Sequence, residues 1–162
     1  SIIDAKHKTM AKQLQVEQSI IIDRPQSEVY EYLKYVKNQN QFSVWNMADP
    51  QQKTSESGID GTVGFIYSWD SQLKNVGAGS QEIKNMKEGE FMAYELRFER
   101  PMKNIAQSAF VLHPVQENQT KVTWNFKGPT KFPMSLFKFL FQKMLGKDMA
   151  KSLDNLKAKL EL

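Results

Sequence analysis

Cysteine is absent from this chain. That excludes thiol nucleophiles, disulfides and thiolate metal sites, and it fits a reducing compartment such as the cytoplasm, the location expected here. Histidine is almost absent. His7 lies in a polar N-terminal stretch and His113 precedes Pro114, neither with a partner at metal-ligand spacing, so no metal site is expected. Charge of either sign is not in large excess: 22 Lys and Arg face 18 Asp and Glu, a formal +4. The lysines are scattered, which reads as a solvated face first and as peripheral contact with an anionic membrane second. No apolar run approaches the roughly 20 residues that span a bilayer, and no charged n-region followed by an apolar h-region opens the sequence. The chain starts at Ser1, so an upstream signal or anchor stays open. Also missing are a His-Glu-x-x-His motif, a Gly-x-Ser-x-Gly elbow and a phosphate loop. Gly77-Ala78-Gly79 leads into a strand rather than a helix and is no dinucleotide fingerprint, so no cofactor is expected.

What is present is the material of one soluble domain. The 162 residues are 40% apolar and 25% charged, ordinary values for a chain able to bury a sizeable core. Residues 1–11 read as a loose polar arm and residues 12–162 as a single domain. Leu14, Val16, Ile20 and Ile22 alternate with polar residues as a strand does, with Gln18 on the apolar side. Pro25 suits the first position of a helix capped by Asp23 or Arg24, running to about Lys37 with Val29, Leu33 and Val36 as its stripe. A short helical turn carrying Phe42, Val44 and Trp45 follows, then a polar edge strand between Asp49 and Gly58. Gly58, Gly61 and Gly64 mark a turn and a bulge.

Five more strands succeed these. Val63, Phe65, Tyr67 and Trp69 define one, and a second runs from Gly77 or Gly79 to Met86. Met92, Tyr94, Leu96 and Phe98 define the third; Ala106, Ser108, Phe110 and Leu112 the fourth, stopping at Pro114. After a turn at Glu117-Asn118-Gln119, Val122, Trp124 and Phe126 define the last. From Pro133 to Leu162 the period changes: Phe137, Leu140, Phe141, Met144, Leu145, Met149, Leu153, Leu156 and Leu160 recur at three and four residues. A helix of about 45 Å, at 1.5 Å per residue, needs something wrapped around it, and only a curved antiparallel sheet with one wet face is available. Gly146 is a candidate kink. The fold class is therefore α+β: about seven antiparallel strands, two short helices after the first strand, and a long C-terminal helix.

Four stretches carry a resemblance: VEQSIIIDRPQSEVYEYL, GTVGFIYSWDSQLKNVGAGSQEI, LRFERPMKN, and TKVTWNFKG followed by GKDMAKSLDNLKAKLE. They resemble the opening strand and Pro-led helix, the middle strands around a Trp and paired glycines, a strand ending in Phe-x-x-Pro, and the last strand with the closing helix of the START-like (SRPBCC) superfamily. This helix-grip group includes the birch-pollen allergen, lipid-transfer domains and the polyketide cyclase/dehydrase group. The resemblance implies the fold and does not by itself assign an activity.

Function is expected in the space between sheet and helix. The inner-face residues that would line it are Trp45, Phe65, Tyr67, Trp69, Gln81, Met92, Tyr94, Leu96, Ser108, Phe110, Trp124 and Phe126, opposite Phe137, Phe141 and Met144 of the long helix. The same residues would serve a solid core. Gln18, Gln81 and Ser108 would need partners if the interior were dry. Tyr67 and Tyr94 either offer hydroxyls to a ligand carbonyl or satisfy backbone; Trp45 is a lid or a plug. Asp70, Glu82 and Glu95 are candidate acids, but the alternation puts Glu82 and Glu95 outside with Arg97, so catalytic residues stay unassigned. The expectation is binding or transport of a hydrophobic small molecule, such as a lipid, quinone or polyketide-like ring, without catalysis. The alternatives are a cyclase or dehydratase using the same cavity and a ligand-free protein-interaction or co-chaperone-like module. Nucleic acid is not expected, because the aromatics lie inside rather than among the lysines. Oligomeric state is not read from the sequence.

Overall fold

The computed structural model describes residues 13–130 and 134–162; the proposed N-terminal arm lies outside them. The chain forms strand β1 (Gln13–Ile22), helix α1 (Gln26–Leu33), a 3-10 helix (Val36–Gln41) and a short helix α2 (Val44–Met47). Strands β2 (Lys53–Ser57), β3 (Ile66–Asp70), β4 (Ala78–Lys87), β5 (Phe91–Arg100), β6 (Asn104–Gln116) and β7 (Gln119–Pro129) follow. A 3-10 turn (Met134–Phe137) leads into helix α3 (Lys138–Leu160). The strands make one curved antiparallel sheet in the order β1-β7-β6-β5-β4-β3-β2. Register shifts between Ala78 and Gly79 and between Ile83 and Asn85 break the β4–β5 ladder, and such irregularities bend a sheet and sharpen its twist.

Helix α3 runs parallel to β1. Near its start the Gln142 side chain accepts a hydrogen bond from Gln15 N (3.3 Å), and near its end Lys157 Nζ donates to Ile21 O (2.7 Å). Gly146 does not interrupt the helix. It brings the helix onto the strand, since a Cβ there would lie 3.1 Å from Gln18 Nε2 and 3.3 Å from Val16. In the second half of α3, Met149, Leu153 and Leu156 are buried. They belong to a core with Val29, Leu33, Phe42, Phe65, Met92, Tyr94 and Phe110. Ser152 and Asn155 tie α3 to the segment around α2: Val44 N donates to Ser152 Oγ (3.0 Å) and Asn155 Nδ2 to Phe42 O (3.1 Å).

Several local expectations are corrected. Helix α1 stops at Leu33 rather than Lys37, and residue 25 is its N-cap. The Asp60 carboxylate accepts from Val36 N (2.8 Å) and Lys37 N (3.1 Å), taking donors that a continuing α-helix would use. Val63 is exposed in the β2–β3 connection instead of joining the strand; Gly61 and Gly64 at φ 81° and 97° turn the chain there. Strand β6 continues past Pro114 to Gln116, with a register shift at the proline. Beyond Val111 it has no β5 partner, so a missing N–H is tolerated.

The β3–β4 connection depends on Gly77. Its φ is +65°, and a Cβ would sit 2.1 Å from Arg100 O. Gly77→Ala is therefore expected to cost about 2–3 kcal/mol, from left-handed backbone strain and forced displacement of β5. Denaturant unfolding checks this: the midpoint should fall with an unchanged slope.

Candidate functional site

The sheet's inner face is divided by side-chain size. Toward the α1 end it carries Ile83, Met92, Phe110, Leu112 and Val122, which are buried and meet α1 and the second half of α3. Toward the other end the register sets Tyr67 beside Gln81, Gln81 beside Leu96, and Leu96 beside Ala106. The neighbouring row places Ser108 between Tyr94 and Phe126. Small residues occupy positions at this end on three of the strands: Gly79 on β4, Ala106 with Ser108 on β6, and Gly128 on β7. A cavity of about 260 Å³ lies here between the sheet, α2 and α3.

Its wall is mainly aromatic. Trp69 packs edge-on against Phe98 (centroids 6.1 Å, 77°), and Phe98 lies 6.5 Å from Phe126. Gly79 permits this arrangement, because a Cβ there would stand 2.9 Å from the Trp69 ring and 2.4 Å from Arg97 O. Trp45 of α2 closes the opposite side, edge-to-face on Trp124 (5.8 Å, 73°). Leu145 and Met149 of α3 complete the apolar wall.

The polar lining is uncharged. Ser108 Oγ accepts from Trp124 Nε1 (3.0 Å) and donates to Asn125 O (2.7 Å), so its needs are met by protein. Tyr67 OH donates to Asn40 Oδ1 (3.3 Å), and Trp69 Nε1 to Val76 O (3.2 Å). Gln81 is buried on the wall and its amide makes no protein hydrogen bond among the described residues. Gln39 Nε2 and Tyr94 OH are buried with no partner at full hydrogen-bond geometry, the Gln39 amide being the polar side chain that approaches Tyr94. Burial pushes the Tyr94 phenol far above its ordinary range, so the hydroxyl stays neutral.

Of the residues expected to line the space, Trp45, Tyr67, Trp69, Gln81, Leu96, Ser108, Trp124 and Phe126 stand on the cavity wall. Phe65, Met92, Tyr94 and Phe110 instead fill the packed end. The reason is what surrounds them: Met92 and Phe110 share a row with Trp124, Tyr94 lies beside Ile83, and all of these belong to the packed core with Val29 and Leu33 of α1. Phe141 packs against the core outside the cavity. Phe137 and Met144 point to solvent, because Gly146 seats α3 on β1 by its other side. Tyr94 does not bond to backbone, and Tyr67 reaches a side chain instead. Gln39, Ser43, Asn46, Gln52, Asn75, Val76, Phe98, Leu145 and Met149 also line the cavity. The Gly79, Ala106, Ser108 and Gly128 pattern was the sequence signal that would have located this end.

The candidate acids lie elsewhere. Arg97 on the outer face donates to Glu82 (2.8 Å) and Glu95 (2.7 Å). The guanidinium holds the Glu82 carboxyl below the usual carboxylate range, so Glu82 is ionised at neutral pH and is no proton donor there. Asp70 pairs with Arg100 at 2.5 Å. His113 is exposed.

A curved seven-stranded antiparallel sheet gripping a C-terminal helix, with a cavity between them, defines a helix-grip protein of the START-like (SRPBCC) class. The chain belongs to the polyketide cyclase/dehydrase and lipid transport family, whose model matches residues 13–161. No curated protein matches it in sequence. Solved structures share its fold at low identity. Protein CV1439 from Chromobacterium violaceum superposes with a TM-score of 0.65 at 13% identity, covering 92% of this chain and 98% of that one. The di-domain ARO/CYC StfQ from the steffimycin biosynthetic pathway gives 0.72 at 11%, covering 98% of this chain and 54% of StfQ. The Aha1 dimer from Colwellia psychrerythraea gives 0.63 at 18%, covering 91% and 96%. No helix among the described residues is long and apolar enough to cross a membrane.

Proposed function

We propose that this protein binds a neutral, largely apolar small molecule in the cavity between β3–β7, α2 and α3. The observation that carries this reading is the wall itself: aromatic and aliphatic surface, interrupted only by uncharged polar groups. Charged ligands would lose hydration inside without a compensating ion, a cost of several kcal/mol or more in effective terms. Apolar surface would contribute about 25 cal/mol per Å² buried, and the free Gln81 amide would orient a carbonyl or hydroxyl. The volume lies below the roughly 300–1,000 Å³ usual for drug-sized ligands. A compact ring system, or a segment of a polyketide-like chain, quinone or lipid, suits it better than a whole diacyl lipid.

An enzymatic reading in the same cavity rests on family membership. Among the described residues Tyr67 is the one titratable side chain on the wall, so a cyclase-like role would rely on shape and on hydrogen bonds to a carbonyl rather than on a carboxylate or histidine. All three tryptophans, Trp45, Trp69 and Trp124, line the cavity, so intrinsic fluorescence reports directly on it. Titration with a panel of quinones, polyaromatic ketones and single-chain lipids is expected to give a saturable change for the compact neutral members. A flat response across the panel, with no small molecule retained in the native mass spectrum, would sink the proposal.

A further inference from the structure

We infer that the end of the molecule where α3 begins docks onto an anionic lipid bilayer. The inference stands on surface residues alone, independently of what the cavity holds. Because α3 runs parallel to β1, its first turns share one end of the antiparallel sheet with the β3–β4 and β5–β6 connections. Large apolar side chains are exposed at that end, among them Leu73, Met102, Leu136, Phe137, Phe139, Leu140 and Met144. Phe139 is 81% exposed and Leu136 69%.

The first half of α3 carries apolar residues beyond the stripe that faces the protein: Phe139, Leu140, Phe141, Met144 and Leu145. The sides bearing Phe141, Leu145 and Gly146 meet the core and β1, whereas Phe139, Leu140 and Met144 are exposed.

Charge identifies the covering partner. Residues 71–77, 101–104 and 134–147 contain five lysines and no acidic residue. Lys74, Lys103, Lys143 and Lys147 are exposed and form no ion pair among the described residues. Lys143 and Lys147 stand on the same helical side as Leu136, Leu140 and Met144, at spacings of three, four and seven. Lysine stems can lie along apolar surface while their ammonium groups reach headgroups, and an apolar face mixed with cations is the pattern of an interfacial helix. The opposite end also exposes Ile59 and Val63, but there acids accompany the cations: Arg24, Lys87 and Lys157 are paired with Glu28, Glu90, Asp23 and Glu161. An anionic surface would therefore orient the molecule with the α3 start inward, beside the cavity wall formed by Asn75, Val76 and Leu145.

Flotation with phosphatidylcholine vesicles, with and without one third phosphatidylglycerol, tests this on the full chain without added ligand. Binding is expected to the anionic vesicles and to weaken as salt rises. The double variant Lys143→Glu/Lys147→Glu should bind about tenfold more weakly or worse, since each lysine near an anionic surface is worth roughly a factor of five. Phe139→Ser/Leu140→Ser should lose vesicle binding yet keep its melting temperature and its tryptophan response to cavity ligands. Absence of vesicle binding, equal binding to both compositions, or a concentration-dependent dimer in its place overturns the inference. Loss of cavity ligand with vesicle binding intact would count against the proposed function only.

Discussion

Leu96→Trp is expected to abolish ligand uptake while leaving the fold in place. Leu96 stands in the row Tyr67-Gln81-Leu96-Ala106, where its neighbour toward β6 is a single methyl group. The larger indole would project into the 260 Å³ space and take most of the room available to a ligand. The sign of the stability change makes the test decisive. Overpacking a filled core costs about 1–3 kcal/mol, whereas filling a real cavity is neutral or adds about 0.5–2 kcal/mol. Retained or raised melting temperature together with a loss of binding of about tenfold or more, equivalent to roughly 1.4 kcal/mol, is the predicted outcome. Native mass spectrometry should read the binding, because the added indole would complicate fluorescence. A marked drop in stability would mean that the inner face has no space to spare at this row.

Phe110→Ala is expected to have the opposite profile, a large loss of stability. Phe110 is fully buried where the packed end meets the cavity. Its ring stacks on Trp124 (4.8 Å, 24°) and meets Phe42 (6.1 Å, 68°) and Tyr94 (6.2 Å, 86°) edge-on. Truncation removes the transfer free energy of the ring and leaves a void bounded by three aromatics that cannot all collapse inward. The expected cost is about 3–5 kcal/mol, or roughly 10 °C in melting temperature for a chain of this size. Thermal unfolding by circular dichroism measures it. A loss below about 1 kcal/mol would show that Phe110 is not the keystone of that cluster. Trp124 is held from its other side by Ser108 Oγ, so its position at the cavity wall depends on both contacts.

Much of the architecture was legible because burial on one face imposes a period. Alternation marked β3 to β7, and the change to three- and four-residue spacing marked α3. Errors arose where a distant group decided the local outcome. Asp60, more than twenty residues downstream, captures Val36 N and Lys37 N and ends α1. Val63 matched the alternation, but the glycine turn carries it outside. In α3, periodicity correctly showed an amphipathic helix, yet Phe137 and Met144 are turned outward because a glycine contact with β1 sets the helix's rotation.

The candidate site was half legible for the same reason. Inward-facing strand residues could be named from alternation, and Tyr67, Gln81, Leu96, Ser108, Trp124 and Phe126 do stand on the cavity wall. Alternation cannot distinguish a wall residue from a packed one, which is why Phe65, Met92, Tyr94 and Phe110 were grouped with them. Gln39, Asn46 and Asn75 carry no periodic signal, since they sit on the 3-10 helix, the four-residue α2 and the β3–β4 connection, whose positions follow from the assembled sheet.

By itself the sequence determined which elements form, which side of each strand faces inward and that no thiol or metal-ligand motif accompanies them, because these follow from local spacing and residue chemistry. Only the tertiary structure decided where the interior is solid and where it is hollow. That division depends on cross-strand register, which lines Gly79, Ala106, Ser108 and Gly128 up on one end, and on the glycine contact that fixes how α3 is rotated above them.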